Sequence, residues 1–206
     1  MSAVPMGREV MRIQAGRFKG RRLPSPRGAR PVPARLKTSL FGVLMPRIPE
    51  ARVLDLCAGV GGFGLEALSR GAAHVTFVER DLRAAAAIEA WLVDAGASDE
   101  ARVVRGEWTR GARGGPFDLV FLDPPYEAWE RDPRVAAGLE AVRRVLAEGG
   151  VLVVKRPVRA GPWQRPGFEV VRRVEVASTA YEILRGAPGA ETGDGERQGA
   201  AGDGRS

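Results

Sequence analysis

The sequence predicts an α/β fold built on a doubly wound, mostly parallel sheet, and three observations carry the prediction. Short apolar runs rich in Val, Leu and Phe alternate along the chain with longer segments of helical periodicity, as strand–helix–strand crossovers require. A glycine-rich turn at residues 57–64 joins one such run to a helix, and another run, Phe117 to Leu122, stops abruptly at Asp123-Pro124-Pro125-Tyr126. In open α/β sheets such junctions fall at the carboxyl ends of strands, where ligands bind.

Composition narrows the class. The 206 residues have room for one domain with extensions. No apolar run approaches the roughly 18 residues of a membrane-spanning helix, and no export-type apolar segment opens the chain, so a cytoplasmic protein that does not engage a membrane is expected. A single cysteine, Cys57, excludes an internal disulfide framework and a cysteine-based zinc site. A single histidine, His74, at the start of a strand leaves little for histidine-based metal binding or Ser-His-Asp catalysis, and no metal is expected.

Charge is placed unevenly. Residues 1–47 hold 11 Lys+Arg against one acid, Glu9, whereas the remaining 159 hold 21 against 24. The excess of positive charge therefore lies in the amino-terminal quarter, which points to a polyanionic partner, nucleic acid, engaged by an extension.

Residues 1–10 read as disordered and 11–49 as a basic extension. Within it, residues 12–23 alternate loosely around two glycines, predicting a short hairpin with Arg17, Lys19, Arg21 and Arg22 projecting. A proline-rich loop carrying Arg27 and Arg30 follows. Leu36, Leu40, Val43 and Leu44 then fall at helical spacing, predicting an amphipathic helix over 34–44 that docks the extension on residues 50–185. Pro46 and Pro49 end it.

Residues 52–56 form the first strand. Glycines 59, 61 and 64 satisfy G-x-G-x-x-G between that strand and a helix at 65–69, and Glu79 ends the next strand 20 residues beyond Gly59, where an acid can grip ribose hydroxyls. A nucleoside cofactor is expected. A dinucleotide fits the spacing too, but Asp55 puts an anion where its pyrophosphate would approach; an acid there suits the cationic S-adenosylmethionine. Residues 82–95 predict an Ala-rich helix and 102–105 a third strand, with Glu107-Trp108 at its end; Trp108 is placed either to lie against an adenine ring or to pack. A Gly-rich turn at 111–116 precedes the central strand. Residues 133–146 predict a helix, which Gly149-Gly150 separates from a strand at 151–154 ending in Lys155-Arg156. The last strands fall at 170–176 and 181–184, and the Gly-rich 186–206 reads as a disordered tail.

The corner after the central strand carries the chemistry. Each proline restrains itself and the residue before it, so the Asp123 carboxylate, the Pro124 carbonyl and the Tyr126 ring should be presented together. Two acceptors beside an aromatic plane suit a flat base with an exocyclic amine. An ionised Asp123 suits guanine, whose N1–H and N2–H groups are adjacent donors, although adenine is not excluded. Trp129 is placed either to stack on RNA or to cover the corner. Nothing basic stands near Cys57 to activate it, so it reads as a packing residue.

Together these segments resemble the RsmD-type methyltransferases. The resemblance runs over about residues 11–184 and is carried by Met11 to Gly16, Gly20 to Leu23, Arg30-Pro31, Leu40-Phe41, Asp55 to Gly64 with Leu65 to Ala72, and Phe121 to Tyr126. It implies a Rossmann-like class I methyltransferase with seven strands, the last antiparallel. The implied reaction is methylation of the exocyclic N2 of a guanine in small-subunit (16S) ribosomal RNA by S-adenosyl-L-methionine. The implied partner is that RNA or an assembling small subunit, with the enzyme a monomer. The cofactor site would comprise Asp55, Cys57, Ala58, Gly59, Gly61, Gly64, Glu79, Arg80, Glu107, Trp108 and Asp123. Asp123, Pro124, Pro125 and Tyr126 would hold the guanine, and Arg12, Arg17, Lys19, Arg21, Arg22, Arg30 and Arg35 would contact RNA. The chain departs from the family's pattern at Ala34, Lys37-Thr38, Trp91, Glu107 (usually Asp), Lys155-Arg156 (usually Glu-His) and around residues 178–181. The rival readings are an adenine or cytosine amino-methyltransferase acting on DNA, an RNA-binding assembly factor without turnover, and a dinucleotide-dependent oxidoreductase.

Overall fold

A computed structural model describes residues 11–24, 34–123, 134–160 and 166–187. Helix α1 (Ala34–Leu44) leads through a 3-10 turn to β1 (Arg52–Leu56), followed by α2 (Gly64–Ser69), β2 (His74–Glu79), α3 (Leu82–Ala95), β3 (Ala101–Arg105), the short α4 (Trp108–Gly111) and β4 (Phe117–Leu122). Helix α5 (Arg134–Val145), β5 (Leu146–Pro157), β6 (Phe168–Val176) and β7 (Thr179–Gly186) complete the chain. The strands form one sheet in the order β3-β2-β1-β4-β5-β7-β6. β7 runs antiparallel to β5 and β6, and the other pairings are parallel. The sheet is the one the strand–helix alternation predicts, and its order reverses between β1 and β4, so the carboxyl ends of these two strands flank the switch point where such sheets bind ligands.

Each sheet face is covered. On one, Val53, Val75, Phe77, Leu119, Phe121, Val151 and Val153 pack with α2, α3 and the extension, whose Ile13, Leu23, Leu40, Phe41, Leu44 and Ile48 join the same buried cluster. On the other, Leu54, Leu56, Val120, Leu122, Leu152 and Val154 pack with Trp108, Val135, Leu139 and Val142. Since alternate side chains of a strand share a face, Asp55, Glu79 and Asp123 continue the rows of the first face. Local signals close the helices: the Asp81 carboxylate caps α3 by accepting from the Arg83 and Ala84 N–H groups at 2.8 and 2.9 Å, and Gly96 ends it at φ +66°.

The predicted short hairpin at 12–23 is present: its arms meet at the antiparallel bridge from Arg12 to Arg22, with Ile13 N–H donating to the Arg21 carbonyl and Leu23 N–H to the Met11 carbonyl. Its backbone is also anchored on the sheet domain: Gln14 and Ala15 donate to the buried Glu66 carboxylate, Arg17 N–H to the Ser69 carbonyl and Phe18 N–H to Ser69 Oγ. Two expectations are corrected. Arg17 and Arg21 do not project freely, because they pair with Glu100 and Asp94 of the sheet domain. Gly149-Gly150 lie inside β5, which begins at Leu146. There the β4–β5 register shifts, and a side chain on Gly150 would fall 2.8 Å from the Phe117 carbonyl, so the glycine permits a close strand approach that reads from sequence as a turn. Smaller shifts extend β3 by one residue and β6 by two at their starts, and β7 by two at each end. The tail predicted as disordered from 186 starts later, since Gly186 ends β7 paired with Phe168; its residues 188–206, and the predicted disordered 1–10, lie outside the described residues.

Candidate active site

The glycine-rich turn is shaped by three different demands. Gly59 has φ +57°, a conformation that strains other residues, although a Cβ there would make only an ordinary contact, 3.9 Å from the Cys57 carbonyl. Gly61, at φ +71°, packs against Leu65 and Ile88. Gly64 admits no side chain, since a Cβ would sit 2.3 Å from the Phe77 ring, so it lets α2 close onto β2. Cys57 takes φ +62°, and burial, with the nearby Glu79 carboxylate, pushes its thiol well above the usual range. The shift disfavours the reactive thiolate, although Arg80 opposes it. Ala58 N–H donates to the Val78 carbonyl, which ties the start of the turn to β2.

Two acids fasten this turn. Asp55, 2% exposed, accepts from Gly64 N–H through Oδ2 at 2.8 Å. Burial raises its carboxyl to about 7; the Gly64 N–H and Lys37 oppose the rise, and Asp123 and Glu79 add to it. Glu79 receives Gly59 N–H on Oε2 at 2.7 Å and Asp81 N–H on Oε1 at 2.8 Å. Each carboxylate oxygen keeps a lone pair for a further donor. The exposed Arg80 and the half-buried Glu107 pair at 3.5 Å just beyond the ends of β2 and β3.

Trp108 is the site residue the structure relocates. Its ring is 7% exposed and lies in the second core cluster, with Gly138 of α5 so close that a Cβ there would fall 2.6 Å from it. Packing is therefore its role, and Glu107 is the residue of that pair left facing the open end of the sheet.

Asp123 directly follows β4, two residues beyond Phe121. Phe121 stacks on Phe63 of the glycine turn at 5.1 Å between centroids and on Phe41 of α1 at 5.8 Å, while Phe63 meets Tyr181 of β7 edge-on. This aromatic cluster binds the turn, the docking helix and the sheet together beneath the corner. The Asp123 carboxylate is 22% exposed and pairs with Lys155 Nζ at 3.1 Å through Oδ2. Burial raises its carboxyl and Lys155 lowers it. Sequence reading noted Lys155 only as a departure from pattern. The signal available was register: Leu122 and Val154 are neighbours, so the residues after them emerge side by side.

Pro124, Pro125, Tyr126, Trp129 and Arg30 lie outside the described residues. Of the predicted RNA contacts, Arg12, Lys19, Arg22 and Arg35 are exposed, and Arg17 and Arg21 are held by acids as above. His74 stands at the opposite, amino-terminal end of the sheet, with its pKa lowered by burial and by Arg52 and Arg102. Among the described residues no group of three or more His, Cys, Asp or Glu is placed to hold a metal ion, and no helix is long and apolar enough to cross a membrane.

A seven-stranded sheet of this order, with one antiparallel strand and a glycine-rich turn after β1, is that of a class I methyltransferase. A solved structure agrees: "Putative methyltransferase yhhF" from Escherichia coli superposes with a TM-score of 0.74 at 31% identity, covering 86% of this chain and 98% of that one. The chain belongs to the RsmD family: the family model described as "Conserved hypothetical protein 95" matches residues 11–185. Among curated relatives, "Ribosomal RNA small subunit methyltransferase D" of Escherichia coli is 40% identical over 184 residues, 87% of this chain and 91% of that protein. "Putative rRNA methyltransferase YlbH" of Bacillus subtilis is 35% identical over 152 residues, 70% of this chain and 82% of its own length.

Proposed function

We propose that the protein transfers a methyl group from S-adenosylmethionine to the exocyclic N2 amine of a guanine in small-subunit ribosomal RNA, in the cytoplasm. The observation that carries the reading is the convergence of Asp55, Glu79 and Asp123 on one sheet face beside the glycine turn, whose Gly59 N–H donates to Glu79. The names of the RsmD-family relatives support ribosomal RNA as the substrate. Asp55 and Glu79 suit the cofactor's cationic methionine part and ribose, with Glu107 near the adenine amine. S-adenosylmethionine, when bound, supplies an electrophilic methyl group.

The protein's own contribution is to orient the base and manage its proton. Guanine N2 is a weak nucleophile because its lone pair is delocalised into the ring. An Asp123 carboxylate accepting an N2 hydrogen localises that pair, and it can hold the proton that N2 sheds once methylated. Orientation of the two partners supplies up to about 7 to 11 kcal/mol of the acceleration. Arg12, Lys19, Arg22 and Arg35 form the exposed part of the phosphate-binding surface.

Incubation with methyl-labelled S-adenosylmethionine and small-subunit RNA, naked or partly assembled, from cells lacking the enzyme should yield labelled N2-methylguanosine. Label in N6-methyladenosine, or cofactor binding with no transfer to any RNA form, would overturn the reading.

The raised carboxyl of Asp55 gives a second expected result. A cationic ligand needs the ionised form, so below about 7 binding must first expel a proton. Affinity for S-adenosylmethionine should rise with pH, by at most about tenfold per unit, and level off above that value. Asp55→Asn keeps an acceptor for Gly64 N–H and should bind more weakly with a flat profile. Calorimetry from pH 5.5 to 7.5 checks this, and a pH-dependent Asp55→Asn would assign the titration elsewhere.

A further inference from the structure

The corner holds a cation that the reaction described above does not use. β5 lies on the side of β4 away from β1 and β2, so Lys155 flanks Asp123 on the side opposite the cofactor turn. Strand parity places the Lys155 side chain on the same face as Asp123, in the row of Val151 and Val153. Its neighbour Arg156 belongs to the other face, where it and Arg173 pair with the fully buried Glu182. Among the described residues, Lys155 is therefore the cation that the end of β5 brings to the catalytic carboxylate. Its ammonium lies 3.1 Å from Asp123 Oδ2, and its side chain remains 24% exposed.

Along this edge the protein presents an acceptor, a second acceptor and a donor: the two Asp123 oxygens and then Lys155 Nζ. The Watson–Crick edge of guanine presents the complement in the same order, N2–H, N1–H and O6. Adenine offers an amine beside an acceptor N1 and no acceptor in place of O6. A flipped base is read through such edge contacts, and a lysine carries three donors, so pairing with Asp123 leaves capacity for another bond.

We infer that Lys155 is a specificity-determining residue whose ammonium donates to O6 of the target guanine while Asp123 accepts from N2–H and N1–H. The inference rests on the guanine-N2 reading and adds to it the third contact of the base edge. A lysine that only neutralised Asp123 would act equally on any base bearing the N2 amine.

The test is a cycle of one protein change and one atom of substrate. RNA is ligated to carry either guanine or 6-thioguanine at the methylated position; the analogue keeps N1–H and the N2 amine but replaces O6 with a poor acceptor. Wild-type kcat/KM should fall about tenfold on the analogue, the scale of one charged hydrogen bond. Lys155→Met should be slower on guanine and show a guanine to 6-thioguanine ratio near one, while Lys155→Arg keeps most of the discrimination. If Lys155→Met does not fold, Lys155→Gln, too short to reach O6, should show the same ratio near one. A variant that slows both substrates equally and retains the wild-type ratio overturns the inference and leaves guanine-N2 methylation standing. Failure of the wild type to form N2-methylguanine overturns the reading beneath it.

Discussion

Asp123→Ala is expected to lower turnover roughly a thousandfold, the usual scale for removing a positioned proton acceptor, while S-adenosylmethionine affinity stays within about twofold. The asymmetry follows from placement. Asp123 directly follows β4, where the proposed reaction places the base, whereas Asp55 and the glycine turn, which the proposal gives to the cofactor, hang from β1 and are fastened by Gly64 N–H and Glu79. Removing the Asp123 carboxylate leaves those bonds intact. In the proposed reaction it takes away the acceptor for the amine hydrogens, and it removes the ion pair with Lys155. Asp123→Asn should be nearly as damaging, because its Nδ2 would oppose a guanine donor and its amide cannot take up a proton. Single-turnover methyl transfer with labelled donor, beside calorimetric cofactor binding, separates the two effects. Near-normal turnover in Asp123→Ala would remove the residue from the reacting centre. The carboxylate must be ionised to work, so the wild-type rate should fall as pH drops through its pKa, which burial raises and Lys155 lowers.

What sequence reveals about this site is governed by distance along the chain. Glycines 59, 61 and 64, Asp55 and Glu79 lie within a strand–turn–helix–strand unit whose geometry is set locally, and the structure assembles them as their spacing predicts. Strand ends bounded by proline or a carboxylate were equally legible. Contacts between distant segments were not. The projecting arginines of the extension could not be told from ion-paired ones without knowing that Glu100 and Asp94 lie opposite. Trp108 reads as a cofactor neighbour from its position after β3, but it points into the core because α5 presents Gly138 to it. Lys155 needed the β4–β5 register, and the start of β5 was hidden because two glycines serve a strand crossing as readily as a turn. Trp91, which departs from the family pattern, has its own local logic: its indole donates to the Arg22 carbonyl at 2.7 Å and meets Phe18 edge-on, so it braces the amino-terminal turn.

That turn is held to the sheet domain through one buried acid, and Glu66→Ala should therefore be among the most destabilising single changes, at about 3 to 5 kcal/mol. Glu66 is fully buried on α2. Its Oε2 accepts from Gln14 N–H at 2.9 Å and lies 3.3 Å from Lys37 Nζ of α1, while Oε1 accepts from Ala15 N–H at 3.1 Å and from Arg70 at 2.8 Å. Truncation leaves two backbone donors and a buried ammonium without their acceptor, and burial already lowers the Lys37 pKa. Glu66→Gln, which keeps one carbonyl for the backbone but loses the charge, should cost less. Replacing Lys37 by Met in the Glu66→Gln background should recover part of the loss, because the ammonium that the carboxylate offsets is then gone. Urea unfolding of the wild type, Glu66→Gln, Lys37→Met and the double variant gives the coupling energy, and hydrogen exchange at Gln14 and Ala15 shows whether the turn releases before the sheet unfolds. A cost below about 1 kcal/mol for Glu66→Ala, the worth of an exposed ion pair, would mean that the extension is held by its bonds to Ser69 and Trp91 and by the packing of Ile13, Leu23 and Phe41.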